Sequence, residues 1–280
     1  LIYKLHHLNS QKSFLFKGFK IKKYYVNANN FNNNGFTTFS NKRIQRNSEI
    51  ILSKINSSKN QWCKDGNLNY EPTNEFKSEI MEIFNNGIDD FLKSVFKSDY
   101  CIFDHFIFKS DRKSVEQLPI NSQLWHADGY PGIGLNLLIS HTPINRSNGS
   151  IKIIKWKISI KLLTKLFLDY KQFVRTTKLG SINSGNRMEY RKAKCEILKN
   201  YIEKQNIKYF QPESDISGTV IAFSNNCVHA GGYTDFGQER IVSLFHIYPS
   251  AIKRTLEEKL NFCTTKKSGA YPKLRELGRI

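Results

Sequence analysis

The feature that most constrains the fold is a pair of distant segments, Trp125-His126-Ala127-Asp128 and His229. Residues two apart on a β-strand point to the same face, so His126 and Asp128 can bind one metal ion together. A third ligand on that side of the ion must come from elsewhere in the fold, and His229 follows about a hundred residues later. The chain must therefore bring together two strands that are far apart in sequence.

Two histidines and one carboxylate are the ligands of a redox-active iron that keeps open coordination positions. Arg240, eleven residues after His229, is the kind of group that binds a dicarboxylate through paired charge-assisted hydrogen bonds. Each residue is a weak signal alone, but their order, strand placement and spacing agree. Together they predict an iron-dependent oxygenase that uses 2-oxoglutarate.

The apolar pattern predicts helices first and mostly short strands later. Helices are predicted for residues 42–55, 74–96, 158–173 and 191–205, with a further short helix after residue 251. Strands are predicted for residues 35–39, 100–108, 124–128, 134–139, 150–156, 219–223 and 240–248. This order favours an α+β, mainly β domain with a sandwich or barrel core.

The formal net charge is +19, and residues 1–48 contain nine Lys or Arg and no acidic residue. We interpret residues 1–30 as a basic N-terminal lead-in, ordered or disordered, that leads to an Asn-rich turn. Residues 31–280 are interpreted as a single domain. A basic stretch can contact nucleic acid or an anionic membrane face. The composition, rich in Lys, Asn and Ile, favours the plainer interpretation that the charge has no binding role, and an anionic substrate stays open.

The five cysteines are scattered and form no CxxC pair, so neither a disulfide framework nor a thiolate zinc site is indicated. Cytoplasm is therefore the expected compartment. No apolar stretch is long enough for a membrane span, and no signal-peptide pattern is visible. Because the sequence begins with Leu, an upstream targeting segment stays open.

Three stretches carry a family resemblance: Gln123 to Asp128, the turn Asn148-Gly149, and Gly218 through Arg240. They resemble the phytanoyl-CoA dioxygenase-like family of Fe(II)/2-oxoglutarate-dependent oxygenases, and the resemblance covers most of residues 31–250. It implies a double-stranded β-helix (jelly-roll, cupin-like) core, here with flanking N-terminal helices and an inserted helical segment. It also implies Fe(2+), 2-oxoglutarate and O2 as cofactor and co-substrates.

By matching position, the resemblance implies that His126, Asp128 and His229 are the catalytic iron ligands and that Arg240 binds 2-oxoglutarate. Gln123 resembles a polar residue that also contacts this co-substrate, with an ordinary strand-edge amide as the alternative. Asp128 favours a hydroxylase over related halogenases, which have a small residue at that position. Residues 151–156 depart from the family's proline-glycine-serine-histidine stretch, so the substrate contacts stay open.

The predicted function is a dioxygenase that hydroxylates a small-molecule or carrier-bound metabolite. One alternative is a nucleic-acid-directed oxidative demethylase, but such enzymes usually carry a second arginine six residues after the first, and position 246 is His. Nucleic acid is therefore not an expected partner. The other alternative is a basic binding protein on a jelly-roll scaffold with a silent metal site. The sequence predicts neither the substrate nor the oligomeric state.

Overall fold

The computed structural model describes residues 26–57, 75–111, 114, 121–128, 134–176 and 187–262. The predicted lead-in lies outside these residues up to position 25. Helix α1 (Val26–Asn34) contains the rest of it, so the predicted boundary at residue 31 falls inside a helix. The Asn-rich run was predicted as a turn, and this is wrong. Ala28 and Phe31 are buried one helical turn apart, which outweighs the low helix propensity of asparagine.

Seven strands are present in the described ranges: β1 (Phe36–Phe39), β2 (Asp99–Asp111), β3 (Leu135–Ser140), β4 (Lys152–Ile153), β5 (Thr219–Ser224), β6 (His229–Ala230) and β7 (Glu239–Ser250). Five of them form an antiparallel main sheet in the order β1-β5-β3-β7-β2, and β4 pairs with β6 in a small second sheet. The five strands predicted for the main sheet are confirmed, each to within three residues at its ends.

Helices cover one face of the main sheet. They are α1, α2 (Lys42–Ser57), α3 (Lys77–Ile83) and α4 (Asp89–Phe96). Buried residues from all four pack in one cluster with alternate residues of β3 and β7, including Leu137 and Phe245. Their helical spacing of apolar residues, for example Ile44, Ile51 and Ile55, is what the sequence analysis identified. The opposite face of the sheet packs against β4 through a second, smaller apolar cluster.

The helix predicted for residues 74–96 is interrupted. A π-helical turn, Phe84–Ile88, separates α3 from α4, and Gly87 within it has a φ of 118°. Glycine adopts positive φ without the steric penalty of other residues, so the chain can bend here. The apolar spacing continues across the bend, which is why the sequence suggests one helix.

Two further helices pack together beside the second sheet: α5 (Trp156–Thr176) and α6 (Arg187–Lys204). The predicted helices at 158–173 and 191–205 are confirmed. The strand predicted for residues 150–156 is wrong in extent, because only β4 pairs and Trp156 already begins α5. Within the described part of the chain, every helix is too short or too polar to cross a bilayer.

His141, which directly follows β3, is fully buried. Its ring lies between α2 and β7, with Nδ1 2.7 Å from the Ser48 hydroxyl and Nε2 2.7 Å from the Ser243 hydroxyl. His105 on β2 is also buried and stacks on Phe245, with ring centroids 4.1 Å apart. Two imidazoles therefore lie in the interface between the helices and the sheet.

These histidines make stability depend on pH. Burial, together with the neighbouring His141, lowers the pKa of His105 to about 3. Burial lowers the pKa of His141 to about 3 despite its bond with Ser48. Unfolded imidazoles ionise near pH ~6.5, so below that pH the unfolded chain takes up protons that the folded chain does not. As the pH is lowered from ~6.5 to ~3, we therefore expect each of the two histidines to reduce the free energy of unfolding by about 1.4 kcal/mol per pH unit.

Urea denaturation across this pH window measures the slope. The variant His105→Phe keeps an aromatic ring against Phe245 and removes one titrating group, so its slope should be smaller by about 1.4 kcal/mol per pH unit. An unchanged slope in this variant would contradict a buried, neutral His105.

A buried lysine joins the last described helix, α7 (Leu256–Phe262), to the main sheet. Nζ of Lys259 lies 2.6 Å from Oδ1 of Asp99 and 4.0 Å from the centre of the Tyr100 ring, and only 1% of the side chain is exposed. Removing one partner of a buried pair leaves the other charge without compensation. We expect Lys259→Met to lower the free energy of unfolding by about 3–5 kcal/mol.

Lys77→Met is the matched control, since Lys77 also contacts α7, 2.6 Å from Glu257, but in a partly exposed pair. Exposed ion pairs contribute about 0–1 kcal/mol. Chemical denaturation of both variants would show the difference, and equal losses would mean that Lys259 is not an interior anchor.

Candidate metal centre

Backbone hydrogen bonds place His126 and His229 directly opposite each other. Each N–H donates to the other's carbonyl oxygen at 2.8 Å, which forms an isolated antiparallel bridge. The strand predicted for residues 124–128 is wrong in extent: only His126 forms a β-bridge, although the Asp128 N–H also donates to the Asn225 oxygen at 3.1 Å. A short 3-10 turn, Asn121–Gln123, precedes it. The two distant segments nevertheless meet, as their ligand pattern requires.

Side chains in the first segment alternate between two environments. Trp125 and Ala127 pack against an apolar cluster formed mainly by α5 and α6, and that cluster also contains Val228, the neighbour of His229. His126 and Asp128, at the alternate positions, lie together on the other side. The helix pair therefore supports both ligand-bearing segments from behind.

Three potential ligand atoms converge in front of this support. Those of His126, Asp128 and His229 all lie within 4.8 Å of one another. Nε2 of His126 is 3.7 Å from Oδ1 of Asp128, and Nε2 of His229 is 3.9 Å from Oδ2. These distances are too long for hydrogen bonds. They fit donors that share one cation, because metal–ligand bonds of about 2 Å place neighbouring ligand atoms roughly 3–4 Å apart.

Hydrogen bonds to backbone carbonyls fix the orientation of both imidazoles. Nδ1 of His126 lies 2.7 Å from the Leu124 oxygen, and Nδ1 of His229 lies 2.9 Å from the Cys227 oxygen. A carbonyl only accepts, so each Nδ1 carries the proton and donates it. In the neutral imidazole each Nε2 then has no proton, and its lone pair lies on the side of Asp128, where it can bind a metal ion. This arrangement is typical of metal-binding histidines.

Asn136 on β3 holds the carboxylate. Its side-chain Nδ2 donates to Oδ2 of Asp128 at 2.5 Å. Burial raises the pKa of the Asp128 carboxyl, but the charge that His229 and His126 carry when protonated, together with this hydrogen bond, lowers it further than burial raises it. The sequence analysis missed Asn136. The available signal was an asparagine inside the otherwise apolar run of β3, where a buried amide needs a partner.

Arg240 lies on β7 and is 3% exposed. Val242 and Leu244, the next residues on its face, pack in the apolar cluster between the main sheet and β4, whereas Ile241 and Phe245 face the helices. Arg240, Val242 and Leu244 therefore share one face of β7. Burial lowers the pKa of the Arg240 guanidinium to about 10, and within the described part of the chain its Nε has no hydrogen-bond partner. A buried cation with an unused donor is suited to binding an anion.

The structure also places Gln123, His246 and Cys227. Gln123 ends the 3-10 turn and is partly exposed beside Gly231, and its role stays a prediction. His246 lies on the same face of β7 as Arg240, opposite Asn136 in the register. Cys227 is buried in the cluster between the sheets, and burial raises its thiol pKa to about 12, as expected for packing.

No protein-family model matches this sequence, and no curated protein is similar enough to count as a match. Solved structures show limited likeness. SnoK, a non-heme alpha ketoglutarate dependent carbocyclase from nogalamycin biosynthesis, is 10% identical with a TM-score of 0.49 over 82% of this chain and 85% of its own. EctD from S. alaskensis, with 2-oxoglutarate and 5-hydroxyectoine, is 11% identical with a TM-score of 0.48 over 91% and 87%. HygX from Streptomyces hygroscopicus, with nickel and 2-oxoglutarate, is 12% identical with a TM-score of 0.45 over 81% and 87%. At this level of similarity we argue function from the side chains alone.

Ser159 on α5 connects the helix pair to the His229 segment. Its hydroxyl accepts a hydrogen bond from the Val228 N–H at 2.9 Å and donates to the Ile154 oxygen. Ser159→Ala would leave the buried Val228 N–H without its acceptor, so we expect the free energy of unfolding to fall by about 1–3 kcal/mol. Urea denaturation measures this loss.

Ser57→Ala is the control, because the Ser57 hydroxyl bonds Lys54 at an exposed helix end. Its effect should stay within about 0.5 kcal/mol. If both serine variants lost the same stability, the bond to Val228 would have no special importance.

Proposed function

We propose that this protein is a non-haem Fe(II)- and 2-oxoglutarate-dependent dioxygenase with one catalytic domain, which includes all of helix α1 as well as the predicted residues 31–280, because Ala28 and Phe31 pack in its core. The observation that carries the proposal is the convergence of two unprotonated Nε2 atoms and one carboxylate at the bridge between His126 and His229. Two imidazoles and a carboxylate on one side of an ion are the donor set of non-haem iron(II) oxygenases. A closed structural zinc site would instead need a fourth protein ligand.

We further propose that the two sheets are the faces of a jelly roll. The apolar cluster between them supports this, since it contains Leu138, Ile221 and Val242 from the main sheet and Ile153 from β4. Such a core would enclose the face of β7 that carries Arg240. The ligands would then lie inside the barrel and be shielded from water.

Arg240 is the proposed partner of the distal carboxylate of 2-oxoglutarate. Leaving a buried cation without an anion is costly, so a silent scaffold would gain stability by replacing it. Arg240 is 3% exposed, and its Nε has no hydrogen-bond partner among the described residues, which supports a bound anion. The surrounding Val242 and Leu244 provide a medium of low polarity, in which this pairing is stronger than in water.

The chain's residues have defined tasks in this proposal. Iron and 2-oxoglutarate, when bound, supply the oxidising chemistry. His126, His229 and Asp128 would bind one side of the metal and leave the other side open. Asn136 keeps the carboxylate oriented, and Arg240 fixes the co-substrate. The protein thereby positions the reacting groups and excludes water from them.

We propose hydroxylation of a small-molecule or carrier-bound metabolite as the reaction. Asp128 supports this outcome, since it supplies the carboxylate that a halide-binding site lacks. His246 stands where a nucleic-acid demethylase would carry a second arginine, and its ring packs edge-on against Phe106. No contact in the described structure favours a nucleic-acid substrate.

Anaerobic titration with Fe(II) and 2-oxoglutarate tests the proposal through the visible charge-transfer band of the chelate. The wild-type protein should develop the band, and His229→Ala should not. Arg240→Gln should retain iron binding but weaken 2-oxoglutarate about 10- to 100-fold, because hydrogen bonds to charged groups contribute about 1.5–3 kcal/mol.

Arg46→Gln is the control for charge, because Arg46 lies on the exposed side of α2 and has no role in the site. It should bind both reagents as the wild type does. Circular dichroism would confirm that each variant is folded. A folded wild-type protein without the band would contradict the proposed function.

A further inference from the structure

Asn225 has a buried side-chain amide whose oxygen and nitrogen both lack a hydrogen-bond partner in the part of the chain that the structure describes. The residue is 3% exposed. Buried polar groups in native proteins are nearly always paired, and an unpaired amide costs free energy. Such a group beside a proposed active centre indicates a ligand that would complete its bonds.

The backbone of Asn225 lies between a proposed metal ligand and the start of β3. Its carbonyl oxygen accepts from the Asp128 N–H at 3.1 Å, and its N–H donates to the Gly134 oxygen at 3.1 Å. A Cβ atom on Gly134 would lie 2.5 Å from Nδ2 of Asn225 and 3.0 Å from Cε1 of Tyr248. The absence of a side chain at Gly134 therefore makes room for the amide. We call the group Asn225, Gly134 and Tyr248 the amide corner.

The face of β7 shows where the amide corner lies relative to Arg240. His246 on this face pairs with Asn136, the residue that bonds Asp128. Arg240 lies six residues before His246, and Tyr248 lies two residues after it. Along β7, the amide corner and Arg240 therefore lie on opposite sides of the residue that pairs with Asn136.

We propose that the amide corner binds the substrate, and that the substrate presents a neutral carboxamide-like group with a hydrogen-bond donor beside an acceptor. This inference rests on the proposed function. Asparagine offers one carbonyl oxygen and one NH2 group, which match the NH and C=O of a carboxamide. The corner contains no Lys or Arg, so a neutral group fits it better than the anionic substrate that the net charge left open.

Acetamide is the probe, with acetone and acetate as comparators of similar size. Protein loaded with Zn(II) and 2-oxoglutarate cannot turn over, so saturation-transfer NMR can measure probe binding at equilibrium. We expect acetamide to bind at least about tenfold more tightly than either comparator, and Asn225→Ala to remove that preference. Asn47→Ala is the control, since this amide bonds the Arg43 oxygen on α2, beyond the other face of the sheet.

Thermal stability separates substrate binding from a structural role. Asn225→Ala removes a buried unpaired amide, so its melting temperature should equal or exceed that of the wild type. A clear fall in melting temperature, with the acetamide preference retained, would overturn the proposal and make Asn225 structural. Equal binding of acetone and acetamide to the wild-type protein would also overturn it.

The failure of this inference differs from the failure of the proposed function. If the charge-transfer band forms but acetamide shows no preference, the oxygenase stands and the amide corner is not a carboxamide site. If no band forms in folded protein, both the proposed oxygenase function and the proposed substrate site at the amide corner are wrong.

Discussion

The reciprocal backbone hydrogen bonds between His126 and His229 are the interaction on which the rest of the site depends. They join two segments that the chain separates by about a hundred residues and set the imidazoles side by side, with ring centroids 4.3 Å apart. Neither segment is held by a long strand. Packing of Trp125, Ala127 and Val228 against the α5–α6 pair provides the rigidity that a regular sheet would otherwise supply.

Two buried polar groups near the proposed site reduce stability. The guanidinium of Arg240 and the amide of Asn225 both have atoms without a hydrogen-bond partner among the described residues. Apolar burial on both faces of the main sheet offsets this cost, through the large cluster against the helices and the smaller cluster against β4. Buried polar groups that are left unsatisfied in this way are typical of a functional centre rather than of a scaffold.

Much of the fold was predictable because local pattern and tertiary packing agree. The five main-sheet strands and helix α2 follow from alternation and helical spacing alone. The predictions failed where tertiary contacts decide. Asparagines in α1 are helical because Ala28 and Phe31 are buried, and the segment 124–128 pairs with the His229 segment only through the isolated bridge at His126.

Some residues of the candidate site were also predictable from the sequence, and others were not. The ligand triad and Arg240 could be selected from residue type, order and spacing. Asn136, Asn225 and Ser159 could not, since their roles come from contacts with residues distant in sequence. The burial of His141 also depends on such contacts, because its partners Ser48 and Ser243 come from two other elements.

The central claim is that His126, Asp128 and His229 bind one ion. Crystals grown without oxygen and soaked in Fe(II) would test it directly through anomalous diffraction at the iron edge. Our account predicts a single strong peak bonded to Nε2 of both histidines and to an Asp128 carboxylate oxygen, with further positions taken by water or 2-oxoglutarate. A triad with no peak, or an iron bound through other residues, would contradict it.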